Sequence, residues 1–249
     1  MQQIRLPPEF VSPGKRSPHA RLEGLMTDHI HIIGTGRAGG AIRARLRQRD
    51  IRVTDGREPD PAASLVMLCV PDSVIGEVAS RVRIGPWVAH VSGATRLNVL
   101  DPHERRFSVH PLQTLSRERG AEQLDGAWGA ISAETDDALE QARWLASSLG
   151  LRPFEVADAD RTIYHAAAVI GGNFLVTLHR VATRLLAEAG APPESIVPLM
   201  MRTIENGFEL TGPIARGDTS TVEAHLAALE ARDPDLMPLY RALAEATRP

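Results

Sequence analysis

The chain has 249 residues, 43% hydrophobic and 24% charged, the composition of a soluble globular protein with room for one large domain or two modest ones. Its formal net charge of -3 offers no basic excess for a phosphate backbone, so no nucleic-acid partner is expected. The single cysteine, Cys69, lies in an apolar run and reads as a core thiol, and nothing requires an oxidising compartment.

Residues 1–26 are rich in Pro and charge, show no helical or strand period, and read as a disordered tail. They hold no apolar stretch for a signal peptide or anchor, so a cytoplasmic protein with no membrane partner is expected. Met26, just before the first strand, is a candidate start. From Ile30 come a short apolar strand, a glycine-rich turn and an amphipathic helix from Ala38 to Arg49, with Ile42 and Leu46 on one face. Strands follow at Ile51 to Thr54, Ser64 to Val70, Trp87 to Val91, Phe107 to His110, Ala127 to Ser132 and Pro153 to Val156. Helices are expected over Val74 to Val82 and Asp136 to Leu149. This alternation predicts an α/β Rossmann-type domain with a parallel sheet over 27–157. Beyond it the strands stop. Helical patterns at Arg161 to Ala189, Glu194 to Phe208 and Thr221 to Ala246 predict an all-helical domain for substrate and dimerisation over 158–249.

The run from Ile30 to Gly39 places GxGxxG between strand and helix. Gly34 permits the tight turn, Gly36 lets a pyrophosphate approach the backbone, and Gly39 lets the helix pack close. Thr35, Arg37 and Ala38 complete the loop, and the helix's free amides suit phosphates. Asp55 stands where an acidic side chain accepts from the adenosine ribose, which tilts the reading toward NAD. Arg37 and Arg57 could neutralise an additional phosphate and keep NADP open. The connection from Asp55 to Ser64 is too short for a crossover helix, so the adenine side should be trimmed. Val70 and Pro71 end a buried strand and should shape the cofactor cleft.

Three further clusters stand out: Val91-Ser92-Gly93-Ala94, His110-Pro111-Leu112-Gln113-Thr114, and in the helical half YHAAAVIGGNF (Tyr164 to Phe174) with LTGPIARGD (Leu210 to Asp218). Together they resemble a family of Rossmann proteins with an uncharacterised helical C-terminal domain, similar to the pyrroline-5-carboxylate reductase, 6-phosphogluconate dehydrogenase and prephenate dehydrogenase group. That resemblance implies a helical domain that dimerises and closes over a nicotinamide, with the substrate left open. A lysine acts in the 6-phosphogluconate, hydroxyacid and ketopantoate branches, but here Lys15 is the only lysine and lies in the tail.

Hydride transfer to or from a carbonyl or imine needs a positioned proton donor or acceptor, and histidine suits neutral pH. His110 ends a strand on the cofactor edge and is held extended by Pro111. Prephenate dehydrogenases have a similar His-Pro element with a serine after the preceding strand, which implies a role for Ser92. His165 and Asn173 are eight residues apart on one helix face, where the Gly171-Gly172 pair costs about 1 kcal/mol per glycine against alanine. That cost suggests close approach by a nicotinamide or by a partner helix. His179 reads as structural. Arg216 could bind a carboxylate, while Ser220 and Glu223 fit a capping box. His29 and His31 share a strand face, but no cluster completes a metal site around them.

The expected function is an NAD(P)-dependent oxidoreductase acting on a small carbonyl, imine or hydroxy acid, with His110 as acid or base and Ser92, His165 and Asn173 near the substrate. The rival reading is a non-catalytic NAD(P)-binding regulator. A homodimer through the helical domain is expected in either case.

Overall fold

The computed structural model describes residues 27–248, so the expectation for 1–26 falls outside the described residues. The chain divides into two compact units, whose described parts are 27–178 and 179–248. In the first, β1 (His29–Ile33), β2 (Arg52–Gly56), β3 (Leu65–Leu68), β4 (Trp87–His90), β5 (Arg106–Leu112), β6 (Trp128–Ala133) and β7 (Arg152–Glu155) form one sheet. Their order is β2-β1-β3-β4-β5-β6-β7. The chain thus turns one way from β1 to β2 and the other way to β3, which opens a crevice at the carboxyl ends of β1 and β3, where ligands of such sheets bind.

Helices cover both faces because the central strands are apolar on both. Ile32, Met67, Phe107 and Ile131 pack in one cluster with Ile42 and Leu46 of α1 (Arg37–Gln48). On the other face Ile33, Val66, Leu68 and Val88 pack with Ile75 and Ala79 of α2 (Ile75–Ala79). α3 (Asp136–Ser148) joins the first cluster through Ala142 and Leu145. The Thr135 hydroxyl accepts the Ala138 amide and caps α3.

The sheet is not wholly parallel as expected: β6 runs antiparallel to β5. Between Leu112 and Trp128 the only helical piece is the short turn Ala121–Leu124, too little for the crossover a parallel return needs. The β2 to β3 connection likewise carries no helix. Polar side chains occupy the strand face left over: Thr54 Oγ1 meets His29 Nε2 at 2.9 Å and His31 Nδ1 at 2.8 Å. The Glu58 carbonyl accepts from His31 Nε2 at 2.9 Å.

The long helix expected from Arg161 is broken into α4 (Arg161–Val169), a π-helical turn Ile170–Phe174 and α5 (Leu175–Glu188). The Gly171-Gly172 pair at the turn supplies the local freedom for such a bulge. The sequence placed the domain boundary between 157 and 158; the compact units part instead at Leu178 and His179, inside α5. α4 stays with the sheet because Arg161, fully buried, hydrogen-bonds into β5 and β6. The second unit continues with α6 (Ile196–Glu205), α7 (Thr219–Arg232) and α8 (Met237–Ala246). Among the described residues no helix is long and apolar enough to cross a membrane.

Candidate functional site

The crevice begins at the glycine loop. Gly34 has φ +98°, and a Cβ there would lie 2.4 Å from the Cys69 carbonyl oxygen. At Gly39 a Cβ would lie 1.9 Å from the Gly34 carbonyl oxygen, so both glycines are demanded by the fold. Gly36 differs: its φ is -67°, which any residue can adopt, and a Cβ would meet nothing within 4 Å. Nothing among the described residues requires glycine at that position. Gly36 is also the N-cap of α1, no side chain caps that helix, and its first turn carries no acid. Its leading amides are therefore available to an anion. Thr35 and Arg37 are exposed beside this space, and Ala38 lies in the first turn.

At the far end of this loop stands Asp55, on the end of β2. Its carboxylate is held by Arg43 Nη1 at 2.9 Å and Arg47 Nη2 at 3.5 Å, both from α1. Arg57 follows, exposed. The lone acidic acceptor expected there is thus embedded among arginines, which weakens the argument that it repels a ribose phosphate.

From the loop a series of contacts runs along the carboxyl edge of the sheet. A Cβ on Gly34 would lie 3.1 Å from Val70 Cγ1, which places the end of β3 against the loop. Pro71 and Asp72 come next, exposed. The Ser92 hydroxyl donates to Asp72 Oδ2 at 2.8 Å and accepts the Ala94 and Thr95 amides at 3.2 and 3.0 Å. Ser92 is buried and committed to this turn, where it shapes the loop after β4.

The position that faces the histidines is the next residue, Gly93. A Cβ on Gly93 would fall 2.5 Å from His165 Cδ2 and 3.0 Å from His110 Nε2, so only glycine fits beneath the two rings. His110 reaches this place because β5 runs beyond its neighbour: β4 stops at His90, paired with Ser108. Pro111, whose missing N–H would break a central ladder, lies past that point. On α4, Arg161, Tyr164 and His165 share one face by their spacing. Tyr164 Oη and His110 Nδ1 share a hydrogen bond of 2.7 Å, and the His110 and His165 rings meet edge to face at 5.9 Å. These residues open on a cleft of about 620 Å³ lined also by Leu112, Phe154, Gly172 and Asn173. The structure therefore brings His110, His165 and Asn173 together, and adds Tyr164 and Gly93. A Cβ on Gly171 or Gly172 would meet nothing within 4 Å, so this stretch presents bare backbone to the cleft.

Below this surface lies a polar layer that the sequence did not suggest. Arg161 Nη1 donates to Ser108 Oγ (2.6 Å) and Ser132 Oγ (2.8 Å), Nε to the Thr95 carbonyl (2.7 Å), and Nη2 to the Ser92 carbonyl. His90 is fully buried with neither ring nitrogen hydrogen-bonded. Burial, helped by Arg161 and His110, pushes His90 from 6.5 down to about 3. Burial, then His165 and Arg161, push His110 down to about 4, against the pull of Asp72. Burial raises the Tyr164 phenol to about 12. At neutral pH both imidazoles are uncharged and the phenol keeps its proton.

These shifts set an acid limb of stability. In an unfolded chain each imidazole takes up its proton near 6.5, but the fold resists protonation, so stability present above that pH is lost as pH falls toward 4 and 3. Between pH 7 and pH 5 the loss should be about 2 kcal/mol for each histidine. His90→Leu should be at least as stable as wild type at pH 7 and lose about half as much on acidification. Urea unfolding at the two pH values checks this; equal losses in both proteins would refute it.

Comparison with known proteins follows this geometry. A Rossmann-like domain model matches residues 1–113, and a model for a domain of unknown function, DUF2520, matches residues 128–247. No curated protein matches the sequence. Among solved structures, a Bacteroides fragilis protein provisionally named an NADP oxidoreductase superposes with a TM-score of 0.76 at 23% identity, over 89% of this chain and 98% of that one. A 1-pyrroline-5-carboxylate reductase from Streptococcus pyogenes gives 0.58 at 14% identity, over 88% and 96%. Prephenate dehydrogenase from A. aeolicus, in complex with hydroxyphenyl propionate and NAD+, gives 0.52 at 13% identity, over 90% and 98%. At these identities the likeness is one of fold. The chain is thus similar to a Rossmann-like domain over residues 1–113 and to a DUF2520 domain over residues 128–247.

Proposed function

We propose that this protein is an oxidoreductase that uses NADP(H) to act on a small molecule held in the cleft at His110. The observation that carries the reading is the unbroken series of contacts from Gly34 through Val70, Asp72 and Ser92 to Gly93 and the two histidines. It puts the glycine turn and the His110–His165 pair on one sheet edge. Gly36 and the uncapped start of α1 would hold the pyrophosphate, and Val70 and Pro71 would border it. When bound, the nicotinamide would supply the redox chemistry.

The chain's own residues handle the proton. The hydrogen bond to Tyr164 holds the His110 ring plane, and in the tautomer whose Nδ1–H donates to the Tyr164 oxygen the Nε2 lone pair is free toward Gly93. His165, beside His110, and Asn173 also line the cleft, where they orient the substrate.

The preference for NADP(H) over NAD(H) follows from charge. Asp55 is neutralised by Arg43 and Arg47, and the exposed Arg37 and Arg57 are free to pair with a ribose phosphate. The name of the Bacteroides relative agrees with this choice. The test is a panel of alcohols and amines with NADP+, and of ketones, aldehydes and imines with NADPH, followed at the nicotinamide absorbance. Turnover that needs both the phosphorylated cofactor and His110 supports the proposal; turnover unaffected by His110→Asn contradicts it.

A second copy of the chain is the proposed partner. In the second unit Val197, Leu199, Met201, Ile204, Phe208 and Leu210 are all exposed, more apolar surface than a monomer ordinarily leaves to water. Light scattering at micromolar concentration should give twice the chain mass, and a monomer would refute it.

A further inference from the structure

Arg161 has no role in cofactor or substrate contact, yet it is 0% exposed at the centre of the site. Its four hydrogen bonds end on neutral oxygens: two carbonyls that bracket Gly93, and hydroxyls on β5 and β6. The acids that act on it, Asp158 and Asp72, do so through space. A buried cation without a bonded counter-charge is costly, several kcal/mol in general, and a neutral side chain could have filled the same layer. That charge acts on two buried histidines, His90 and His110.

We propose that Arg161 is the positioning residue of this site, fixing the Ser92–Thr95 loop beneath His110 and His165 by its four hydrogen bonds and helping, by its charge, to keep His110 uncharged. The use of that uncharged ring in proton transfer rests on the oxidoreductase reading, while the effect of Arg161 on the loop and on His110 does not.

The charged and titratable groups that face His110 are His90 from β4, Asp72 from the end of β3, and Arg161, Tyr164 and His165 from α4. Asp72 alone favours the imidazolium, and it is tied to Ser92 on the far side of the loop. His165 and Arg161 both oppose it, His165 the more strongly.

The test is a proton NMR titration of the His110 ring in the full chain without cofactor, with the signal assigned by its loss in His110→Asn. Arg161→Met and Arg161→Lys are compared with wild type. Removing the charge in Arg161→Met should raise the His110 midpoint by roughly one pH unit. Arg161→Lys retains the charge but cannot make all four bonds, so it should leave the midpoint near wild type while the Ser92–Thr95 amide shifts move. An unchanged midpoint in a folded Arg161→Met would overturn the charge role, as would an equal rise in both variants. Should Arg161→Met not fold, Arg161→Gln, which also removes the charge, decides: a raised midpoint upholds the proposal, and an unchanged one overturns it. NADPH binding, measured separately on wild type, reports on the oxidoreductase reading and is indifferent to this outcome.

Discussion

Gly36→Asp is expected to weaken NADPH binding at least about 100-fold, the equivalent of roughly 3 kcal/mol, while leaving the fold intact. The side chain would enter open space, since a Cβ at Gly36 meets nothing within 4 Å and its φ of -67° suits any residue. Its carboxylate would then stand where the pyrophosphate sits and repel it. Gly39→Ala makes the internal contrast: its methyl would lie 1.9 Å from the Gly34 carbonyl oxygen, so the helix must shift at a cost of about 1–3 kcal/mol of stability. Calorimetry with NADPH and urea unfolding of both variants separate the two effects. Undiminished binding by folded Gly36→Asp would remove the dinucleotide from this loop.

His110→Asn should keep cofactor affinity and lower turnover by about two to four orders of magnitude, the usual worth of a positioned proton acceptor. Tyr164→Phe removes the 2.7 Å hydrogen bond that sets the ring but leaves the imidazole, so its loss should be smaller, on the order of tenfold. His165→Asn should also act more weakly and mainly on substrate binding, because that ring forms the wall of the cleft. Activity carried by neutral His110 as acceptor should be level across neutral pH and fall on acidification toward about 4. The reverse ranking, with His165 dominant, would move the chemistry onto α4.

The glycine loop was legible in the sequence because every part of it is local: strand, turn and helix follow within a dozen residues. His110 was legible for the same reason, as a histidine before proline at a strand end. The trimmed adenine side could be inferred from the length of a single connection. What was not legible depends on residues far apart in the chain. Arg161 reaches Ser92 across 69 positions and Ser108 across 53, and nothing in RTIYH announces a buried cation. Tyr164 stood in a segment already singled out, one residue before His165, but its partner is 54 positions away. Ser92 was chosen by its likeness to the serine of prephenate dehydrogenases, whereas the demand of the site falls on Gly93, where a side chain would collide with both rings. The antiparallel β6 was hidden because a strand's direction depends on its connection, and Leu112 to Trp128 gives no periodic signal.

The most direct measurement is a calorimetric titration of the wild-type chain with NADPH and, in parallel, with NADH. Saturable one-to-one binding of NADPH, tighter than that of NADH and lost in Gly36→Asp, is the predicted result. Absence of binding by either dinucleotide to the folded protein would contradict the account at its foundation.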